Sequence, residues 1–249
     1  MRSPQISWIS ADDPPDSFPD IEHAFDVPDG LLAAGGDLST ARLLYAYSHG
    51  IFPWYSDGQP ILWWSPNPRC VIYPDRLHVS RRLKRSLRNS EVEVSFNQAF
   101  DAVVDACAED RPGQEGTWIT AEMRDAYLRL YEGSWAHSTE IWHGERLVGG
   151  LYGLAIGKVF FGESMFSRSS DASKIALIHL MARLKKGGFV LLDSQFSNTH
   201  LEQFGVMEIP REMFRQKLET ALATKASMPV DSDDWPWVQS FLQSSTETS

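Results

Sequence analysis

Two apolar runs in this chain each carry an acid where a buried strand has no easy place for one. Leu191-Leu192-Asp193-Ser194-Gln195 reads as a strand that ends on a carboxylate and an amide. Strand side chains alternate, so Leu191, Asp193 and Gln195 share one face. Val159-Phe160-Phe161-Gly162-Glu163-Ser164-Met165-Phe166 repeats the pattern, with Glu163 as the interruption. A carboxylate among apolar neighbours should be paired or engaged by a ligand. Two such strands predict a pocket that grips something apolar and works on something cationic or protonated. On residue type alone, a structural buried network of Glu163, Asp193 and Gln195 fits equally well.

The elements around these strands predict an α+β layout. Helices are expected over 40–48 (capped by Ser39 or Asp37), 80–89 (Ser80), 97–109 (Asn97), 120–132 (Thr120), 171–186 and 210–223, with Asn198 capping a short one. Strands are expected at 70–73, 92–96, 137–142, 146–156, 158–167 and 189–195, with Gly144 in a hairpin turn. The helix over 171–186 reads as amphipathic, burying Ile175, Ile178, Met181 and Leu184. Three meandering strands before a crossover helix point to a mostly antiparallel sheet. Residues 1–30 read as an irregular arm and 51–69 as a rigid aromatic loop system. Pro66-Asn67-Pro68 is a plausible junction. The expected division is a small N-terminal domain over 1–69, a larger domain over 70–232, and an acidic, Ser/Thr-rich tail over 233–249, loosely held from about residue 226.

The 249 residues are enough for a sizeable core. A net charge of −10 argues against a general nucleic-acid coat but leaves room for a local basic patch. One candidate is Arg76, Arg81, Arg82, Lys84, Arg85 and Arg88. On a helix from Ser80, Arg81, Lys84, Arg85 and Arg88 fall on one face, with Leu83 and Leu87 on another. Such a stripe is either a phosphate-binding device or a solvated face matched to the surplus acids. Nine tryptophans suit a core and also suit stacking on bases.

Other classes find less support. Cys70 and Cys107 lie far apart, so a reducing cytoplasm is expected rather than a disulfide framework. The N-terminus lacks a signal-peptide core, and no apolar run approaches the ~20 residues of a membrane helix. The histidines are scattered and neither a Walker A nor a G-x-G-x-x-G motif occurs, so no metal or cofactor is expected. Gly162-Glu163-Ser164-Met165-Phe166 begins like a nucleophile elbow, and Asp193 and His200 follow in hydrolase order. Phe166 replaces the final glycine, and the segment reads as mid-strand, which leaves Ser164 a structural hydroxyl.

Taken together, the motifs resemble one family, the bacterial leucyl/phenylalanyl-tRNA–protein transferases. The matching segments are Gly30-Leu31-Leu32-Ala33-Ala34-Gly35-Gly36-Asp37-Leu38-Ser39, Gly50-Ile51-Phe52-Pro53-Trp54, Trp63-Trp64-Ser65-Pro66-Asn67-Pro68-Arg69, Glu115-Gly116-Thr117-Trp118-Ile119-Thr120, Gly149-Gly150-Leu151-Tyr152-Gly153, Phe161-Gly162-Glu163-Ser164-Met165-Phe166-Ser167, Ala172-Ser173-Lys174 and Leu192-Asp193-Ser194-Gln195. They occur in the family's order from about residue 30 to 215.

The resemblance implies an acetyltransferase-like (GNAT-type) larger domain. It implies transfer of Leu, Phe and, less well, Met from aminoacyl-tRNA to the α-amine of proteins beginning with Arg or Lys, which marks them for degradation by the N-end rule pathway. Leu151, Phe160, Leu180 and Leu192 would line the aminoacyl pocket, with Asn198 also contacting substrate. Strict alternation separates Phe160 from Glu163, and a bulge at Gly162 would reconcile them. Trp54 and Trp118 would meet the terminal adenosine, and the basic stripe the acceptor-stem phosphates. Glu163 and Asp193 would hold the acceptor's amine. Asp193, oriented by Gln195, would deprotonate that amine, or would only position it while a ribose hydroxyl carries the proton. The acetyl-CoA signature R/Q-x-x-G-x-G/A is missing; Arg146-Leu147-Val148-Gly149-Gly150-Leu151 ends on the wrong residue. A small-molecule acetyltransferase is therefore disfavoured, and a non-catalytic adaptor would need neither the Trp pair nor the stripe. A monomer is expected.

Overall fold

The computed structural model describes residues 6–109, 117–224, 227–230 and 234–244. Glu115 and Gly116 of the aromatic motif and the last five tail residues lie outside them. Among the described residues the chain forms β1 (Ser7–Ile9), β2 (Leu31–Gly35), α1 (Thr40–Ser48), β3 (Phe52–Pro53), β4 (Leu62–Trp64), β5 (Arg69–Ile72), α2 (Arg81–Arg88), β6 (Glu93–Phe96), α3 (Phe100–Ala108) and α4 (Ala121–Glu132). It continues through β7 (Ala136–His143), β8 (Arg146–Ile156), β9 (Val159–Ser167), α5 (Ala172–Lys186), β10 (Leu191–Gln195), α6 (Thr199–Glu202), β11 (Met207–Ile209), α7 (Arg211–Leu222) and α8 (Trp235–Ser244). The fold is α+β. A small sheet runs β1-β2-β4-β3, so the N-terminal arm and the aromatic loop system both contribute short strands. A larger mixed sheet runs β11-β5-β10-β9-β8-β7-β6.

The two acid-bearing strands, β9 and β10, lie side by side and are the parallel pair of the larger sheet; its other neighbours pair antiparallel. A parallel pair needs a crossover, and α5 supplies it. Their ladder runs only from Leu191↔Val159 to Asp193↔Phe161, and beyond it no further pairing joins them. At the same level β9 bulges. Tyr152 faces Ser164 and Gly153 faces Gly162, which leaves Glu163 without a partner on β8. Gly153 is required there, since a Cβ would stand 2.1 Å from the Phe161 carbonyl oxygen. The pleat is thus broken at Glu163, the residue that has to reach the fork.

Three sequence expectations need correction. Helix α5 is not amphipathic: from Ala172 to Leu184 every side chain but Lys174 is buried. One side packs on β7, β8 and β9, and α8 covers the other. The described stretch of the tail over 234–244 is therefore packed rather than loose. Val238, Phe241 and Leu242 are buried, and the carboxylate of Asp234 lies 2.8 Å from His179 Nδ1 and 3.2 Å from Arg183 Nη2. Asn97 does not cap α3, which starts at Phe100 without a side-chain cap. It sits in the left-handed region at φ 56°. From there its Oδ1 accepts the Ser138 N–H at 2.9 Å and holds β7 instead.

Candidate functional site

A cavity of about 690 Å³ opens where β9 and β10 part. Leu151, Phe160, Leu177, Leu180 and Leu192 form its apolar wall, and Glu163, Ser194, Gln195 and Asn198 its polar end. The four apolar residues expected in a pocket are brought together, along with Asn198. Asn198 also caps α6, accepting the Leu201 N–H at 2.9 Å. Phe160 and Glu163 both reach the cavity because of the bulge.

Asp193 is placed differently from the expectation of a free base. It is 0% exposed, and its two oxygens accept from Arg69 Nε at 2.8 Å and Nη2 at 2.7 Å. Arg69 is itself buried, donates Nη1 to the Gly50 carbonyl at 2.9 Å, and lies between the rings of Phe52 and Phe214 at 4.8 and 4.7 Å. Both oxygens of the carboxylate are thus engaged by one guanidinium. Asp193 also accepts the Gln195 main-chain N–H at 3.0 Å, fixing Gln195 in the left-handed region at φ 59°. The link between Asp193 and Gln195 thus runs through backbone, not through the amide side chain. Among the described residues, the buried Gln195 Nε2 has no hydrogen-bond partner. Gln195 borders the polar end of the cavity, with this nitrogen buried and uncommitted. With Asp193 held by Arg69 and the His200 ring 3.4 Å from Ser173 Oγ, no Ser164–Asp193–His200 triad forms.

Glu163 Oε1 lies 2.8 Å from Tyr47 Oη, and Oε2 makes a short contact with Tyr127 Oη. Burial pushes its carboxyl up to about 7, the two tyrosine hydroxyls pull it down, the Asp193 charge raises it and Arg69 lowers it. Burial raises the Tyr47 and Tyr127 hydroxyls well above the ordinary phenol range, with the Glu163 charge adding to it, so both keep their protons. Tyr47, Tyr127 and Arg69 went unassigned in the sequence. Their roles exist only once α1, α4 and β5 are packed against the fork.

The tryptophans do not line the cavity. Half-exposed Trp54 packs against Trp64 and, at 5.4 Å, against Phe196, the residue after Gln195. Trp118 is partly buried just before α4. Tyr55 Oη lies 3.3 Å from Thr120 Oγ1 and ties the two segments together. Of the basic stripe, Arg76, Arg81, Arg82, Arg85 and Arg88 are exposed, while Lys84 donates to the Leu242 carbonyl of α8 at 3.1 Å. A shallow groove lined by Arg82, Arg168 and Lys174 shares Arg168, Ser173 and His200 with the cavity wall. Asp171 pairs with both Arg82 and Lys174 there.

Comparison with known proteins shows the family of the chain. The leucyl/phenylalanyl-tRNA protein transferase family matches residues 71–219, and that family's N-terminal domain matches residues 36–67. The leucyl/phenylalanyl-tRNA–protein transferase of Stutzerimonas stutzeri is 52% identical over 230 residues, covering 92% of this chain and 99% of that protein. That of Aromatoleum aromaticum is 56% identical over 209 residues, 84% of this chain and 87% of that protein. Among solved structures, L-PGS from Bacillus licheniformis aligns with 66% of this chain and 55% of its own at 11% identity and a TM-score of 0.38, too weak a likeness to carry an argument.

Proposed function

Because the chain belongs to the leucyl/phenylalanyl-tRNA–protein transferase family, enzymes that pass aminoacyl groups from tRNA to proteins, we propose that it moves Leu, Phe and, less well, Met to the α-amine of proteins beginning with Arg or Lys. The product would be marked for degradation by the N-end rule pathway. The observation that carries the reading is an apolar cavity whose polar end is bordered by Gln195, the residue with a buried, uncommitted amide nitrogen. The Leu or Phe side chain fills the apolar wall, and Gln195 Nε2 donates to the ester carbonyl oxygen as charge builds there. Discrimination among apolar side chains should be modest, since each methylene is worth only ~1–3 kcal/mol.

In this reading Asp193 holds Gln195 and does not itself take the proton. The ester is already reactive, and positioning supplies much of the rate. Trp54, exposed beside Phe196, and Trp118 serve the terminal adenosine. Arg76 and the exposed arginines of α2 follow the acceptor-stem phosphates, and the groove through Arg82 leads from them to the cavity. The GNAT-type assignment of residues 70–232 belongs to the same reading, supported by the forked parallel pair and its crossover helix. So do the boundary after residue 69, a monomeric state and a cytoplasmic location; among the described residues no helix is long and apolar enough to cross a membrane.

The test is transfer of labelled leucine from charged tRNA to a peptide beginning with Arg, beside one beginning with Ala. Label on the Arg peptide alone is expected, and Gln195→Ala should slow it by roughly 10²-fold or more. Folded wild type that transfers none of Leu, Phe or Met would sink the proposal.

A further inference from the structure

Three polar groups close a triangle at the polar end of the cavity. Tyr47 Oη lies 2.8 Å from Tyr127 Oη and 2.8 Å from Glu163 Oε1, and Tyr127 Oη makes a short contact with Glu163 Oε2. Each of the three contacts needs one proton between its oxygens. The two hydroxyls supply two. If Glu163 is a carboxylate, both tyrosines donate to it, and the Tyr47–Tyr127 contact is left with lone pairs facing each other. If the carboxyl is protonated, it donates to Tyr127, Tyr127 donates to Tyr47, and Tyr47 donates to Oε1. The ring then closes with every contact satisfied.

We propose that Glu163 carries a proton in the resting enzyme, held by Tyr47 and Tyr127 as positioning residues, so that the polar end of the cavity is uncharged and receives the reacting amine as its free base.

The surroundings support this count. The groups that face Glu163 are Tyr47 from α1, Tyr127 from α4, Tyr152 from β8, Asp193 from β10 and Arg69 from β5. Of these only Asp193 and Arg69 carry charge, and they are paired with each other. Among the described residues, an incoming ammonium therefore finds no unpaired carboxylate facing Glu163 to stabilise it. This replaces the sequence-based picture of two acids that hold a cation. The last clause of the proposal rests on the transferase reading. There the free amine attacks the ester carbon, a C–N bond forms, the C–O bond to the ribose breaks, and the proton lost by nitrogen ends on the ribose oxygen. Burial, which lifts the Glu163 carboxyl to about 7, acts in the same direction as the ring.

Infrared difference spectra of wild type against Glu163→Gln, without tRNA, test the proton directly. About one pH unit below neutrality the wild type should show the carbonyl stretch of a carboxylic acid that the variant lacks. The band should fade as pH rises through about 7. Isotopic labelling of glutamate carboxyl groups in the wild type reads the same band with no substitution. Absence of the band overturns the proposal whatever the transfer assay shows. Activity adds a second reading. The side-chain amide introduced by Glu163→Gln both donates and accepts and can close the ring, whereas Glu163→Ala cannot. Glu163→Ala should lose roughly 10²-fold, and Glu163→Gln should recover most of it. The wild-type rate divided by the Glu163→Gln rate should be flat at low pH and fall as pH rises through about 7. A ratio that climbs with pH would make the ionised form the working one and overturn the proposal.

Discussion

Arg69 and Asp193 are both almost fully buried, and their bidentate pairing leaves little room for either to exist alone. Removing one partner strands a charge in a dry interior, at a cost of about 3–5 kcal/mol. Arg69→Met should therefore lower stability in urea unfolding by about that amount, and Arg69→Met combined with Asp193→Leu should regain much of the loss. A single-variant loss below ~1 kcal/mol would mean that something other than the pair holds the fork together. The sequence announced that Asp193 needed a partner, since a carboxylate closed an apolar strand. It could not announce which one. Arg69 stands 124 residues earlier and looked like the last letter of a proline-rich motif. Tyr47 and Tyr127 were quieter still, because a tyrosine in a helix requires a hydroxyl partner only when its face is buried.

At the scale of the element, local chemistry read well where it was truly local. Ser39, Ser80, Thr120 and Asn198 each accept the main-chain N–H three residues on, as cap residues should. Asn97 failed because a tertiary bond to β7 prevailed over the cap. Helix α5 had the right span and the wrong exposure, since periodicity on one helix cannot see a second helix laid over its outer face. The described stretch of the tail, 234–244, was misread for a related reason. Its Ser, Thr and Asp content outweighed Val238, Phe241 and Leu242, which fall at helical spacing and bury together. Phe241→Ala should cost about 3–5 kcal/mol. Hydrogen exchange should then quicken in α8 and along the outer face of α5. Faster exchange confined to α8 would show that α5 stands without its cover.

For the molecule as a whole, charge is unevenly laid out. The net is −10, yet Arg81, Arg82, Arg85 and Arg88 stand exposed on α2. Arg82 pairs with Asp171, and the Lys84 ammonium is engaged by the Leu242 carbonyl. The stripe read from the sequence is thus one charge shorter on the surface. For a phosphate-binding face, affinity for tRNA should fall as salt rises, and Arg85→Ala should reduce the slope by about 1 on a double-logarithmic plot. The same change should leave the choice between Leu and Phe as it was. Lys84→Ala should act mainly on the docking of α8. Equal slopes for Arg85→Ala and wild type would remove Arg85 from the interface.

The long reach of the contacts around the cavity has a consequence for how the protein comes into being. Arg69 meets Asp193 across 124 residues, and Tyr47 meets Glu163 across 116. Closing such loops is entropically slow, and contacts this distant in sequence form after the local helices and hairpins. During synthesis the early elements α1 and β5 have no partners for Tyr47 and Arg69 until β9 and β10 have emerged. The cavity is therefore among the last features to assemble, and a nascent chain stalled before residue 193 carries a prepared half-site with no activity to misdirect.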